Sequence, residues 1–383
     1  MRIKIISCWF ATSYGSYTDG LRQGLERKLG NEVGIIASNC GCGDPIEIQR
    51  QFQDKRCDFF EFPNIDYFKS PNPTKYWLRN QARNLLYHER VKQYQKREGD
   101  AEVIHFQQIL NATGSVPLFN WLKMPSNAAR VVTVHELDPY QVDFPKSNLT
   151  YNKADRIIVH TEAMKEKLIS LGVTHERIDV VLHGVDIRPM PDGMREGIIF
   201  YGGHTLNKGK GLDTLFKAMA LVKKQLVSAT PVLTIHGHYG MDTPTESLQA
   251  ASETGIASSI RWLNQISHEA VTLEYQKALL CVLPYTGSFA GYPAAIAMAN
   301  GVPVIGTRRA GLPDHLGDTG VWIKENDPEE LATTIVALLR NEEQRRDIIT
   351  RARARAEKLL SWDAIAQKTL ASYEKAVRTK TQS

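Results

Sequence analysis

The sequence predicts an α/β protein of two consecutive doubly wound domains, and three observations lead there. Short apolar runs alternate with helix-period segments, which is the signature of βα units around a parallel sheet. The alternation restarts near the middle of the chain, after the segment from Asp186 to Gly193, where two prolines, a glycine and charges interrupt both periodicities. The length of 383 residues also exceeds what one hydrophobic core usually serves.

In the first half, strands are expected at 3–7, 33–37, 103–106, 130–134, 156–160 and 179–182, with helices such as 18–29 and 161–171 between them. In the second half, strands are expected at 197–201, 232–236, 260–262, 279–284, 302–306 and 320–322, followed by an arginine-rich helix at 342–358 and a last helix at 362–377. The domains follow as a Rossmann-like unit over 1–188, a second over 189–361, and a C-terminal helix over 362–383 that crosses back to the first, as Trp362, Ile365, Leu370 and Tyr373 suggest.

Composition narrows the function classes. The charge of +5 is mild for this length, so it permits an acidic ligand or an anionic membrane surface without demanding nucleic acid. Cys8, Cys40, Cys42, Cys57 and Cys281 form no CxxC pair, and an odd count argues for a reducing, cytoplasmic compartment. The apolar start reads as a buried strand, and no run approaches the length that spans a bilayer, so membrane contact is expected to be peripheral at most. A basic amphipathic helix over 73–97, with Tyr76, Trp77, Arg79 and Arg83, is the candidate for such contact. No Asp-x-Asp, zinc-spaced His/Cys cluster or P-loop is present, so no metal or cofactor is expected. A dinucleotide oxidoreductase is disfavoured because no Gly-x-Gly-x-x-Gly follows the first strand.

Five segments, in order, carry a resemblance. They are Lys153-Ala154-Asp155-Arg156-Ile157-Ile158-Val159-His160-Thr161-Glu162 with Leu182-His183-Gly184-Val185-Asp186, Phe200-Tyr201-Gly202-Gly203 before Lys210-Gly211-Leu212-Asp213, Pro284 through Ala299, Asn300-Gly301-Val302-Pro303-Val304-Ile305, and Ala310-Gly311-Leu312-Pro313-Asp314. Together they resemble the family 4 retaining glycosyltransferases (glycosyl transferases group 1). The resemblance implies a GT-B architecture, two Rossmann-like domains facing across a cleft. It implies transfer, with retention and without metal, of a hexose-type sugar from a UDP- or GDP-sugar to a glycan, lipid-linked or small-molecule acceptor.

On that resemblance Lys210 is the cation at the departing diphosphate, and His204 stands where similar enzymes carry arginine. His135, followed by Glu136, resembles the short segment at the donor sugar, and His105 is a weaker candidate of the same kind. Gly15 and Ser16, in the turn between first strand and first helix, are a candidate site for close backbone approach to the donor, and Gly203, Arg308 and the base-side Ile266 complete the rim. The main departure is in the segment Ser288-Phe289-Ala290-Gly291-Tyr292-Pro293-Ala294-Ala295-Ile296, where Ser288 and Ile296 occupy the positions of two glutamates. Isoleucine cannot reproduce a carboxylate contact to ribose, so backbone amides near Ala290, Gly291 and Tyr292 are expected to carry more of the binding. The alternative is a noncatalytic nucleotide-sugar-binding or partner protein of the same fold.

Overall fold

A computed structural model describes residues 1–7, 13–30, 33–38, 57–60, 92, 95–107, 122, 126–135, 149–190, 193–203, 208–226, 230–237, 245–263, 266–287, 291–309 and 311–382. These residues divide into two units, Met1–Val181 with Trp362–Ser383, and Leu182–Ser361. The chain changes unit at Val181, ahead of the Pro/Gly-rich segment that the sequence offers as a linker.

The first unit is built on β1 (Ile3–Ser7), α1 (Ser13–Leu29), β2 (Val33–Ser38), β3 (Cys57–Phe60), β4 (Val103–Gln107), β5 (Ala129–Val134), β6 (Arg156–Val159), α2 (Glu162–Ser170) and β7 (Ile178–Val180). Its strands form one sheet in the order β3-β2-β1-β4-β5-β6-β7, parallel at every pairing. Strands covered on both faces need continuous apolar runs, and β4 and β5 are buried at every residue. Thr161 caps α2, its hydroxyl accepting from the Met164 amide at 3.1 Å.

The second unit comprises β8 (Ile198–Gly203), α3 (Leu212–Gln225), β9 (Leu233–Gly237), α4 (Thr245–Glu253), β10 (Ile260–Leu263), α5 (His268–Lys277), β11 (Leu280–Leu283), α6 (Tyr292–Ala299), β12 (Val304–Thr307), α7 (Leu312–Leu316), β13 (Val321–Ile323), α8 (Pro328–Arg340) and α9 (Glu342–Leu359). Its sheet runs β10-β9-β8-β11-β12-β13 and is also parallel. Helix α3 turns Leu212, Leu215, Phe216, Met219 and Val222 inward at helical spacing.

The arginine-rich α9 serves this unit as a set of helix C-caps. Arg345 donates to Leu338 O and, at 2.8 Å, to Leu339 O in the last turn of α8. Arg353 donates to Ala299 O at the end of α6, and Arg355 donates to His315 O at 2.7 Å and Asp314 O at 3.0 Å in α7. Carbonyls at helix ends have no partner within the helix, and a guanidinium supplies both donors and a charge that suits the dipole.

Helix α10 (Trp362–Gln382) belongs to the first unit and packs on α1, β5 and β6. Gly20 and Gly24, one turn apart on α1, make the flat place where it sits: a Cβ at position 20 would lie 2.0 Å from Trp362 Cε2, and one at position 24 would lie 2.5 Å from Trp362 O. The buried stripe of α10 is Ile365, Ala366, Thr369, Ser372, Tyr373 and Ala376, with Leu370 at its half-buried edge.

Two expectations change. The segment Tyr14-Gly15-Ser16 is not a turn ahead of a helix but lies inside α1, which starts at Ser13. The edge strand β3 has no counterpart among the expected strands. The basic helix expected over 73–97 falls almost wholly outside the described residues.

Candidate active site

In an open parallel sheet, ligands sit outside the carboxyl ends of the strands where the strand order reverses. In the second unit the reversal is between β8 and β11, because β9 and β10 extend one way from β8 while β11, β12 and β13 extend the other. The loops after these two strands are tied to each other through backbone. The amides of Thr286 and Gly287 both donate to Gly209 O, at 2.9 and 3.0 Å. Gly211, with φ +73°, starts α3, and a Cβ there would lie 2.0 Å from Pro284 O. Only glycine takes that backbone angle without strain and also allows the approach.

Lys210 sits between these ties, in the single 3-10 turn Lys208–Lys210, and is only 7% exposed. Its Nζ lies 4.9 Å from the centroid of the Tyr285 ring. The ring face steadies an ammonium that has lost part of its water. Thus the cation that the resemblance places at a diphosphate is held at the sheet's reversal point by a loop with little freedom. His204, its expected companion, lies outside the described residues, as do Ser288, Phe289 and Ala290. Gly203 is the last residue of β8 and pairs with Gly237 across a bulge.

Gly291, with φ +81°, is the N-cap of α6, and its missing Cβ makes room for Gly311 O at 2.7 Å and His315 Nδ1 at 2.8 Å. Pro293 in the first turn lacks an N–H that would have had no helical partner there. Tyr292 is half-buried, its ring centroid 5.0 Å from that of His183. Ile296 is 3% exposed, one turn into a helix whose residues from Pro293 onward are all buried. Ile266 is half-buried just ahead of Ser267, whose Oγ accepts from Ala270 N at 3.2 Å and starts α5. Arg308 follows β12 and lies over the Trp322 ring, 4.6 Å from its centroid, while Arg309 pairs with Glu325 at 2.5 Å.

His315 is a residue that sequence reasoning missed. It is fully buried, its Nδ1 donates to Gly311 O at 2.8 Å, and its Nε2 has no hydrogen-bond partner among the described residues. Burial pushes its pKa down to about 4; the bond to Gly311 opposes this and nearby Arg355 reinforces it. Its place directly after the Gly311-Leu312-Pro313-Asp314 run is the signal that could have flagged it.

The first unit gathers its polar groups differently. His135 follows β5 and is 2% exposed. Its Nδ1 lies 2.9 Å from His160 Nε2 and its Nε2 lies 2.7 Å from Gln107 Oε1. His160 Nδ1 donates to Val181 O at 2.8 Å. His105 bonds Thr133 Oγ1 and Tyr373 Oη, both at 2.7 Å, so it is a buried imidazole with both nitrogens satisfied. Tyr17 lies edge-on to His135 and His160 at 4.8 and 5.2 Å. Burial, reinforced by the neighbouring histidines, holds the pKa of His135 well below the usual value and that of His105 at about 3. Side-chain alternation explains the gathering: His105 and Gln107 share one face of β4, and Thr133 on β5 and His135 just after it continue the same alternation.

The family described as Glycosyltransferase Family 4 matches residues 15–188, and the one described as Glycosyl transferases group 1 matches residues 195–341. Among curated relatives, the D-inositol 3-phosphate glycosyltransferase of Corynebacterium kroppenstedtii is 30% identical over 249 residues, 59% of this chain and 54% of that protein. The Mycolicibacterium smegmatis protein of the same name is 30% identical over 244 residues. The chain thus spans about half the length of these relatives. Among solved structures, Anabaena HepE in complex with UDP and glucose superposes with a TM-score of 0.73 at 16% identity, covering 98% of this chain and 99% of that one. A sucrose-phosphate synthase from Thermosynechococcus elongatus gives 0.72 at 19% identity over 98% of each chain. At such identities the likeness speaks for the fold. No helix among the described residues is long and apolar enough to cross a membrane.

Proposed function

Because the chain belongs to the group 1, family 4 glycosyltransferases and has their GT-B type of fold, we propose that it transfers a hexose-type sugar from a UDP- or GDP-sugar to an acceptor, with retention and without a metal ion. The observation that carries the reading is Lys210, a nearly buried cation held where the strand order of the second sheet reverses. When the bond from the sugar's anomeric carbon to the diphosphate breaks, negative charge gathers on the departing oxygen, and a fixed ammonium stabilises that charge more than it stabilises the ground state. The acceptor oxygen then bonds the anomeric carbon and its proton passes to the diphosphate. The protein's share is position and charge.

Around Lys210, the N-terminus of α6 at Gly291 and Tyr292 suits a phosphate or sugar hydroxyl. Ile296 offers ribose an apolar neighbour and no carboxylate, so 2′-deoxyribose and ribose nucleoside diphosphates are expected to bind alike. Names of curated relatives make a phosphorylated polyol such as D-inositol 3-phosphate one acceptor to try beside glycan and lipid-linked acceptors. The noncatalytic alternative rests on Ser288 and Ile296 standing where the family carries glutamates.

The test is a transfer assay with UDP-glucose, UDP-N-acetylglucosamine and GDP-mannose against those acceptors, run in excess chelator, with the anomeric configuration of the product read by NMR. Transfer that persists in chelator and keeps the donor's configuration supports the reading. Transfer that returns only with a divalent ion removes the metal-free part, and inversion removes the retaining part. A nucleotide that raises the melting temperature without any turnover favours the noncatalytic alternative.

A further inference from the structure

Four ring nitrogens in the first unit form one continuous chain, and hydrogen-bond logic fixes where its protons are. Val181 O can only accept, so His160 carries its proton on Nδ1. A neutral His160 then has a bare Nε2, which must accept from His135 Nδ1 at 2.9 Å. That leaves His135 Nε2 bare, facing the Gln107 side-chain amide at 2.7 Å. With the amide oxygen toward it, two acceptors would meet unless His135 gained a second proton. Burial and the neighbouring histidines oppose that proton. A half-turn of the amide exchanges oxygen and nitrogen in nearly the same space, so that Gln107 donates to His135 Nε2. The turn brings the amide oxygen toward His105, whose nitrogens lie 3.3 and 3.4 Å away. His105 accommodates it, because its partners Thr133 and Tyr373 are hydroxyls that donate or accept equally well.

We propose that Gln107 and His160 are positioning residues that hold His135 as its Nδ1–H tautomer, leaving Nε2 as a hydrogen-bond acceptor for a sugar hydroxyl that takes the place of the Gln107 amide. The proposal rests on the glycosyl-transfer reading of the fold and adds the form in which the histidine acts. The ring acts as a neutral acceptor and not as an acid. His160 fixes the ring's proton from one side and Gln107 covers its lone pair from the other. Every link lies within 3 Å and is buried, so solvent does not compete for it.

The test is 15N NMR of the full chain labelled at histidine, at pH 7, with each ring assigned by single substitutions. The expected spectrum gives His135 and His160 a protonated Nδ1 and a bare, pyridine-like Nε2. Gln107→Glu puts an obligate acceptor against Nε2, so its resonance should move to the protonated position. In the transfer assay above, the same variant should raise KM for the nucleotide sugar at least fivefold with kcat within twofold. Should the glutamate variant fail to fold, the wild-type spectrum and Gln107→Met, in which the His135 Nε2 resonance shifts on loss of its donor, decide in its place. A protonated Nε2 in wild-type His135, no response to either substitution, or an altered tautomer with unchanged KM overturns the proposal. The failure of the functional reading looks different. There the wild type transfers no sugar to any of the acceptors while its His135 tautomer stays as expected.

Discussion

The carboxyl ends of the two sheets solve the same problem with different materials. In the second unit the loops after β8 and β11 are joined by backbone amides and a carbonyl, and Gly211 and Gly291 stand where the chain passes closest to Pro284 O and Gly311 O. In the first unit the equivalent region is tied by side chains, with three histidines, a glutamine, a threonine and two tyrosines bonded or stacked in one buried group. A backbone-built site tolerates side-chain change as long as its glycines remain. A side-chain-built one depends on register, tautomer and protonation.

The sharpest way to break the comparison is Gly211→Ala. A methyl group at this position meets the Pro284 carbonyl at 2.0 Å, and the backbone angle of φ +73° is strained for any L side chain. Left-handed strain and overpacking together should cost about 2–5 kcal/mol. Urea unfolding should register it as a lower midpoint with an unchanged slope. A midpoint within experimental error of the wild type would mean that the β8 and β11 loops separate easily and that backbone contact does not hold the second site.

Lys210→Ala comes next. The loop that carries it is tied through backbone at Gly209 and by the close approach at Gly211, so the variant should fold while turnover falls more than tenfold, a loss of about 2–4 kcal/mol of transition-state stabilisation. Lys210→Arg should recover little, because a planar fork does not replace a point charge packed over the Tyr285 ring. Turnover close to wild type in the alanine variant would move the site elsewhere.

The same contrast explains what the sequence disclosed. Apolar runs with turn signals between them revealed both sheets nearly strand for strand. The exception, β3, is four residues at a sheet edge with Asp58 among them, too short to show a period. Helix α1 starts earlier than its pattern suggested because Gly15 and Ser16 are weak helix formers whose preference is overruled in the folded chain. Lys210, Gly211 and Gly291 could be named from the sequence because the resemblance rests on short contiguous segments that contain them. From the histidine group the sequence offered His135 and, more weakly, His105. Its partners come from β4, from the end of β6 and from a helix 268 residues beyond His105, and which of them meet is settled by strand register, which sequence spacing does not contain. The repeated same-face pairs His105/Gln107 and Thr133/His135 at the ends of neighbouring strands were the available clue.

Protonation sharpens the comparison further. His105 and His135 in the first unit, and His315 in the second, have folded pKa values depressed below the ordinary 6.5. The unfolded chain therefore binds protons that the folded one refuses. The stability is fully present above pH 6.5 and is lost as pH falls toward the folded values, about 3 for His105 and about 4 for His315. Each such group contributes a slope of about 1.4 kcal/mol per pH unit. Between pH 6.5 and 5, above the range of ordinary carboxylates, both units should therefore lose stability as the pH falls. Hydrogen exchange at several pH values, corrected for intrinsic rates, reads the units separately. A first unit whose protection does not fall over this range would mean that its histidine group is protonated without loss of structure.

The smallest effect is expected at Arg308. It is exposed, and its visible partner is the face of Trp322, a contact worth about 0.5–1 kcal/mol at such a site. Arg308→Ala should therefore lower stability by no more than that. Its bearing on the comparison lies in binding. The stack holds a guanidinium at the carboxyl end of β12, next to the strand whose loop ties Lys210. If the second site is built from backbone with Lys210 as its principal cation, removing Arg308 should weaken UDP binding about threefold or less, under 1 kcal/mol, and less than removing Lys210 does. Arg309→Ala, which breaks only an exposed pair with Glu325, serves as the control and should leave the affinity unchanged. Calorimetric titration of UDP into the three variants ranks them. A loss at Arg308 as large as at Lys210 would show that a side-chain cation beyond the tied loops shares the diphosphate, and that the second site is less a backbone construction than its glycines suggest.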